Sequence, residues 1–225
     1  MLLLIALSVG AVIDIVLPCL NEAAALPWVL SRIPPHSRAI VIDNGSRDGS
    51  AQIAQSLGAT VVHCSQRGYG AAVHAGLEVS TSELVAVCDC DATIDLGYVC
   101  TAASLVTNGA ADLVVARRRP VERRCWPWHV RLANWELARQ VRRRTGAALH
   151  DIGPLRVARR RDLCALGVAD RRCGYPVETV VRAADAGWVI TSIDVPYQRR
   201  LGRSKVTGTL LGSLRAIRDA HTALS

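Results

Sequence analysis

The residues best placed to do chemistry are two carboxylates, Asp89 and Asp91, one residue apart at the end of the apolar run LVAVCD. An i, i+2 carboxylate pair where a strand stops can share a divalent cation, because the backbone there is free to turn both side chains inward. All-oxygen donors suit Mg2+ or Mn2+. Such an ion can bridge a nucleotide diphosphate and neutralise charge developing on a leaving group. The pair alone has little specificity, since any acidic turn produces it. Two more sets of polar turn residues follow apolar runs: Pro18-Cys19-Leu20-Asn21-Glu22 and Asp43-Asn44-Gly45-Ser46. A basic counterpart lies near the end of the chain, Arg199-Arg200-Leu201-Gly202-Arg203-Ser204-Lys205. Lys205 is the only lysine in a protein with 26 arginines, and a compact ammonium beside Gly and Ser suits phosphate oxygens.

The elements that would position these groups alternate regularly. Short β-branched runs at Val12 to Leu17, Ala39 to Asp43, Thr60 to Cys64 and Leu84 to Asp89 read as strands. Helical stretches separate them at Glu22 to Ser31, Ser50 to Leu57, with Ser50 as N-cap and Gly58 as closing glycine, and Gly70 to Val79. Strands that are apolar on both faces and alternate with helices indicate a doubly wound parallel sheet. Ligands on such sheets bind beyond the carboxyl ends of the strands, where the acidic and turn-forming residues collect. The second half predicts a strand at Ala111 to Ala116, a basic aromatic loop RRRPVERRCWPWH, and a helix from Leu132 to Arg144. LHDIGPLRVARRRDLCAL should be a loop leading into a short strand and helix, followed by a helix at Val177 to Ala186 and a strand at Val189 to Gln198. An amphipathic helix is expected at Thr209 to Ala223.

Composition excludes several classes. With 225 residues, 50% hydrophobic and 20% charged, the chain is neither disordered nor a minimal disulfide scaffold. One domain, residues 1–225, is expected, long enough to bury a full core. Residues 1–112 carry four Arg and ten acids, net −6, whereas residues 113–225 carry 23 basic residues and nine acids, net +14. The halves therefore have different electrostatic roles. Eight cysteines show no CxxC pair and no zinc-like His spacing, and several sit inside apolar runs, so they read as reduced, structural residues, which favours a cytosolic location. The apolar start is broken by Asp14 and Pro18 before it reaches spanning length, and no other segment approaches it.

In order and spacing, LPCLNEAAALPWVL, VIDNGSRDGS, QRGYGAAVHAGL and DCDAT resemble the family-2 glycosyltransferases of the GT-A fold. HDIGPLRVARR, GYPVETVVRAADAG and VPYQRRLGRSKVTGT are similar to the polyprenyl-phosphate branch, whose type is dolichol-phosphate-mannose synthase. The resemblance runs from about Asp14 to Arg218 and implies a single α/β GT-A domain that binds a nucleotide-diphospho-sugar on a mostly parallel sheet. Residues 1–112 would form the nucleotide-sugar and metal half, and residues 113–225 the acceptor half. The resemblance implies that Pro18, Asn21 and Glu22 surround the base and ribose, with Asp43 bonded to the base. Gly68 would let the backbone approach the nucleotide. Asp89 would lie by the ribose and metal, and Asp91 would be the main protein ligand of Mg2+ or Mn2+. Asp151 would be a catalytic carboxylate, and Arg200, Ser204 and Lys205 a clamp on phosphates. Two departures stand out: Asn44 replaces the second Asp of the usual DDGS, and Thr93 stands where a Gln is common.

The implied reaction is inverting, metal-dependent transfer from a UDP-, GDP- or dTDP-sugar to a polyprenyl phosphate. It would take place at the cytosolic membrane face, on a peripheral protein with or without a separate membrane-protein partner. The remaining arginine clusters and the tryptophans Trp126, Trp128 and Trp135 suit a solvated basic face or contact with anionic lipid. No nucleic-acid-binding module accompanies them. The competing readings are a glycosyltransferase acting on a soluble or cell-wall hydroxyl and a non-catalytic basic protein that binds polyanions or membranes. A non-catalytic protein would have no need of both Asp89 and Asp91.

Overall fold

The computed structural model describes residues 12–122 and 125–202. Ser204, Lys205, the expected helix at Thr209 to Ala223 and the first ten residues lie outside the described residues. Strands β1 (Ile13–Cys19) and β4 (Leu84–Cys88) are buried almost throughout, as their continuous apolar sequences require of central strands. β2 (Ser37–Asp43) and β3 (Thr60–His63) extend the sheet on one side. β6 (Leu155–Arg159), β5 (Leu113–Pro120) and β7 (Ile190–Tyr197) extend it on the other, in the order β3-β2-β1-β4-β6-β5-β7. Four of the six pairings are parallel, and β6 runs antiparallel to both its neighbours.

That one reversal decides where the site can form. The carboxyl ends of β1, β2, β4, β5 and β7 share one edge of the sheet, and the antiparallel β6 starts at that edge, with Leu155 opposite Cys88. The residues just before β6, including Asp151, therefore meet the residues just after β4 and β5.

Helices cover both faces. Side chains of α1 (Leu26–Leu30), α2 (Ser50–Ser56) and α4 (Tyr98–Thr107) join Ile13, Ile15 and Leu17 in one core layer. α3 (Tyr69–Val79), α5 (Trp128–Thr145), α6 (Arg160–Ala165) and α7 (Tyr175–Asp185) pack with Val16, Ile40 and Val85 in the other. The alternation along β1 thus sorts its residues between the two layers.

Several boundaries differ from the sequence expectation. The first helix begins at Leu26 rather than Glu22, because the backbone of Glu22 and Ala23 is turned to bond the loop before α2. Ser50 is the first residue of α2 rather than its cap. Gly49 occupies the cap, and the Ser50 hydroxyl is spent on Asp48 and Glu22. α4 has no counterpart in the sequence reading. Its cap is Gly97 with no side-chain bond, so it lacks an N-terminal signal. β5 runs on through Arg117, Arg118 and Arg119, paired with β7, and α5 starts four residues early at Trp128.

At the opposite edge of the sheet Asp14, fully buried, accepts bonds from Arg38 Nε and Nη2 and from the amides of Thr81 and Ser82. Burial alone would raise its pKa, but these bonds hold the carboxyl below its usual value. A lowered carboxylate pKa stabilises the fold above the unfolded-state value, and that contribution is lost as pH falls through the folded value. Asp14→Ala should cost about 1–3 kcal/mol by removing the carboxylate that joins the Arg38 guanidinium to the amides of Thr81 and Ser82. Its urea midpoint should also change less than that of wild type between neutral pH and the carboxylate range. Parallel loss in both proteins would show that Asp14 is not the group titrating.

Candidate active site

At the shared edge the loops after β1 and β2 are stitched together. Asn21, at φ 53°, donates its amide to Ser46 Oγ and accepts from the Arg47 amide on its side chain. The Glu22 amide bonds Ser50 Oγ, and the Ala23 amide bonds Asp48. Pro18 lies in the last turn of β1, beside Ile42. Asp43, buried, accepts from the Ser46 amide and faces His63 Nδ1 at 3.2 Å. Burial would raise its pKa, but the Ser46 and His63 contacts hold it below the usual range. Pro18, Asn21, Glu22 and Asp43, the residues expected around the nucleotide, are thus brought to one wall.

The DCDAT segment faces that wall. Asp91 Oδ1 accepts from Thr93 Oγ1 at 2.6 Å and from the Thr93 amide. Thr93 therefore orients the carboxylate, which accounts for this residue in place of Gln. Asp91 Oδ2 accepts from Arg200 Nη1 at 3.0 Å, and Arg200 Nη2 reaches Glu22. The backbone after β7 lies along the same loop, with Gln198 bonded to the Thr93 carbonyl and Leu201 to the Asp91 carbonyl. Arg200 thus spans the two acidic walls.

Asp89 is half-buried. Loss of water around its carboxyl and the like charge of Asp91 push its pKa up to about 6, against the pull of Arg156, Arg118 and Arg200. Beneath it sit Arg156, 3% exposed, and the buried phenol of Tyr69, itself pushed up by burial and by Asp89. Among the described residues, Arg156 Nε and the hydroxyls of Tyr69 and Tyr175 have no hydrogen-bond partner. Sequence reasoning missed Arg156, although an Arg inside the apolar run PLRVA is itself a signal, because a buried charge needs a partner.

A family model, Glycosyl transferase family 2, matches residues 14–166. The chain belongs to this family. An uncharacterized glycosyltransferase of Mycobacterium tuberculosis is 47% identical over 217 residues, covering 96% of this chain and 99% of that one. A dolichyl-phosphate hexose transferase of Haloferax volcanii is 30% identical over 195 residues, 85% of each chain. The crystal structure of glucosyl-3-phosphoglycerate synthase from M. tuberculosis, in complex with Mn2+, UDP and glucosyl-3-phosphoglycerate, superposes with a TM-score of 0.74 at 23% identity. It covers 96% of this chain and 79% of that one. The protein is a family-2 glycosyltransferase with the GT-A fold, a single sheet of seven mostly parallel strands.

In this glycosyltransferase Asp151 is 3% exposed and both its oxygens are occupied. Arg118 donates to it from Nε, from Nη2 at 2.6 Å and from its own backbone amide. Arg118 also bonds Asn134 of α5 and stacks 4.0 Å from the Trp126 ring. The pair closes the end of β5 over the start of β6. Gly153 allows the closure, because a Cβ there would lie 1.8 Å from the Ala116 carbonyl. Asp151, expected as a catalytic carboxylate, therefore has both oxygens engaged by Arg118 and braces the segment before β6 against the end of β5. Its partner lies 33 residues away, in what the sequence suggested was a basic loop.

The reason for Gly68 also differs from the expectation. At φ +140° a Cβ would fall 2.0 Å from the Arg171 carbonyl, and the first amides of α3 are spent on the carbonyls of Arg171 and Arg172. The close approach that needs glycine here is to this chain's own backbone. Among the described residues, no group of three or more His, Cys, Asp or Glu side chains is arranged to hold a metal.

Asn44 is a staple. Its amide nitrogen donates to the carbonyls of Cys64 and Gln66, and its oxygen accepts from Gly68 at 2.9 Å. An Asp would retain the acceptor and lose both donors. Asn44→Asp should therefore lower stability by about 1–3 kcal/mol, read as a urea midpoint shift at neutral pH. An unchanged midpoint would show that the staple does not hold the loop.

Proposed function

We propose that this glycosyltransferase moves a sugar from a nucleoside-diphosphate sugar, with UDP the nucleotide tested first, to a polyprenyl phosphate with inversion at the anomeric carbon. The observation that carries the reading is the pairing of Asp151 with Arg118. A hydroxyl acceptor needs a base to take its proton, and the carboxylate expected in that role already accepts three donors' bonds from Arg118. A phosphate acceptor is anionic at neutral pH and needs none. The 30% identity to a dolichyl-phosphate hexose transferase supports the same acceptor class.

Asp91 and Asp89 are the residues that would hold Mg2+ or Mn2+. The donor set fits: carboxylate oxygens without sulfur or imidazole, too few for a full cage, as expected where substrate phosphates and water complete the coordination. Asp91 Oδ2 already carries a positive partner, the Arg200 guanidinium. Bound there, the ion would supply charge neutralisation at the diphosphate. In the reaction an acceptor phosphate oxygen forms a bond to C1 as the bond from C1 to the donor diphosphate breaks, and the bonding pair leaves with the nucleoside diphosphate. Arg200, drawn from Glu22 and Asp91 toward phosphate, would clamp it. Ser204 and Lys205 would complete that clamp. Asn21, Glu22, Asp43 and Pro18 line the wall proposed for base and ribose. Catalysis then rests on positioning and charge stabilisation.

The test is incubation with labelled UDP-, GDP- and dTDP-sugars, a polyprenyl phosphate and Mg2+ or Mn2+. Label should pass into the organic phase, stop with EDTA, and fall by at least about 10²-fold in Asp91→Asn. Transfer only to a soluble hydroxyl or to phosphoglycerate would overturn the lipid acceptor and leave the family assignment standing.

A further inference from the structure

The three tryptophans in the segment from Trp126 to Trp135 divide into two kinds. Trp126 is buried, stacked on Arg118 and tilted against Tyr197 at 5.6 Å. Trp128 and Trp135, on α5, are 75% and 52% exposed, and Leu132 between them is 56% exposed. Positions 128, 132 and 135 follow the i, i+4, i+7 spacing of one helix face. The opposite face carries Ala138 and Val141, both fully buried, and Asn134, which reaches Arg118. α5 therefore has two apolar stripes, and among the described residues only one is covered.

The outward stripe is set among positive charges. Arg139 stacks on the Trp135 ring at 5.9 Å, and Arg143 lies one turn further along the same face. The helix carries five Arg and a single acid, Glu136, which is already paired with Arg139. Exposed indoles flanked by arginine are what a helix lying in a membrane interface presents. Charge selects the occupant: a second copy of this chain would bring the same basic face, whereas anionic headgroups complement it.

We propose that the outer face of α5, through Trp128, Leu132 and Trp135 with Arg139 and Arg143, docks this protein flat on an anionic lipid bilayer. The inference deepens the lipid-phosphate reading and rests on it for its purpose: the inner face of the same helix holds Arg118, so docking brings the bilayer to the acceptor side of the site.

The test is flotation with vesicles that contain no polyprenyl phosphate, made either of phosphatidylcholine alone or of phosphatidylcholine and phosphatidylglycerol in equal parts. Wild type should float with the anionic vesicles, and its tryptophan emission should shift to the blue. Trp128→Ser with Trp135→Ser should lose at least about tenfold in vesicle affinity. Arg139→Gln with Arg143→Gln should lose roughly fivefold per charge on anionic vesicles and little on neutral ones. All four positions are at least partly exposed, so the thermal midpoint should hold. Failure of wild type to float, flotation unaffected by the Trp variant, or a dimer in sedimentation that the Trp variant dissociates would each overturn the proposal. Because the vesicles hold no acceptor, loss of docking and loss of lipid-phosphate transfer are separate results.

Discussion

Three carboxylates gathered where little water reaches them are the constraint on which the rest of the site depends. Glu22 and Asp91 are each 6% exposed, and Asp89 is pushed up to about 6 by burial and by Asp91. Like charges so placed must be given cations or lose their charge. The chain supplies arginines from three directions: Arg156 from within β6, Arg118 from the end of β5, and Arg200 from beyond β7. The antiparallel insertion of β6 lets residues before it and after β4 meet at one edge, so the sheet topology and the electrostatic balance serve the same site.

Arg156 and Arg118 are held in place by structure. Arg156 bonds the Ile152 carbonyl from inside the core, and Arg118 is fixed by Asp151, Asn134 and two aromatic rings. Arg200 is different: its side chain is 26% exposed and it lies on a segment that joins the site by backbone bonds to Asp91 and Thr93. On the proposed function it is the one of the three that would exchange carboxylate for phosphate. The net −6 and +14 halves of the chain therefore meet at this residue.

Much of the fold was legible because the first four strands are continuous apolar runs whose carboxyl ends carry distinctive polar residues. Asp89, Asp91, Glu22, Asn21 and Asp43 could be gathered from that pattern alone. What escaped the sequence were pairings over long separation. Arg117 to Arg119 read as part of a basic loop, solvated or in contact with lipid, yet they lie near the end of β5 and one of them is paired with the buried Asp151. Asn44 looked like a tolerated substitution and proves to hold three backbone groups. Gly68 suggested a nucleotide contact, but its close neighbour is the Arg171 carbonyl. In each case the residue type was conspicuous, and only a partner distant in the sequence gave it meaning.

On the proposed function, this acidic edge binds a nucleoside diphosphate more tightly when an external cation accompanies it and displaces Arg200 from Asp91. Calorimetric titration of UDP into the protein with and without Mn2+ tests it most directly. The account predicts measurable binding with Mn2+, at least about tenfold weaker binding without it, and no such Mn2+ dependence in Asp91→Asn. Equal UDP affinity in the presence and absence of Mn2+ for wild type would contradict it.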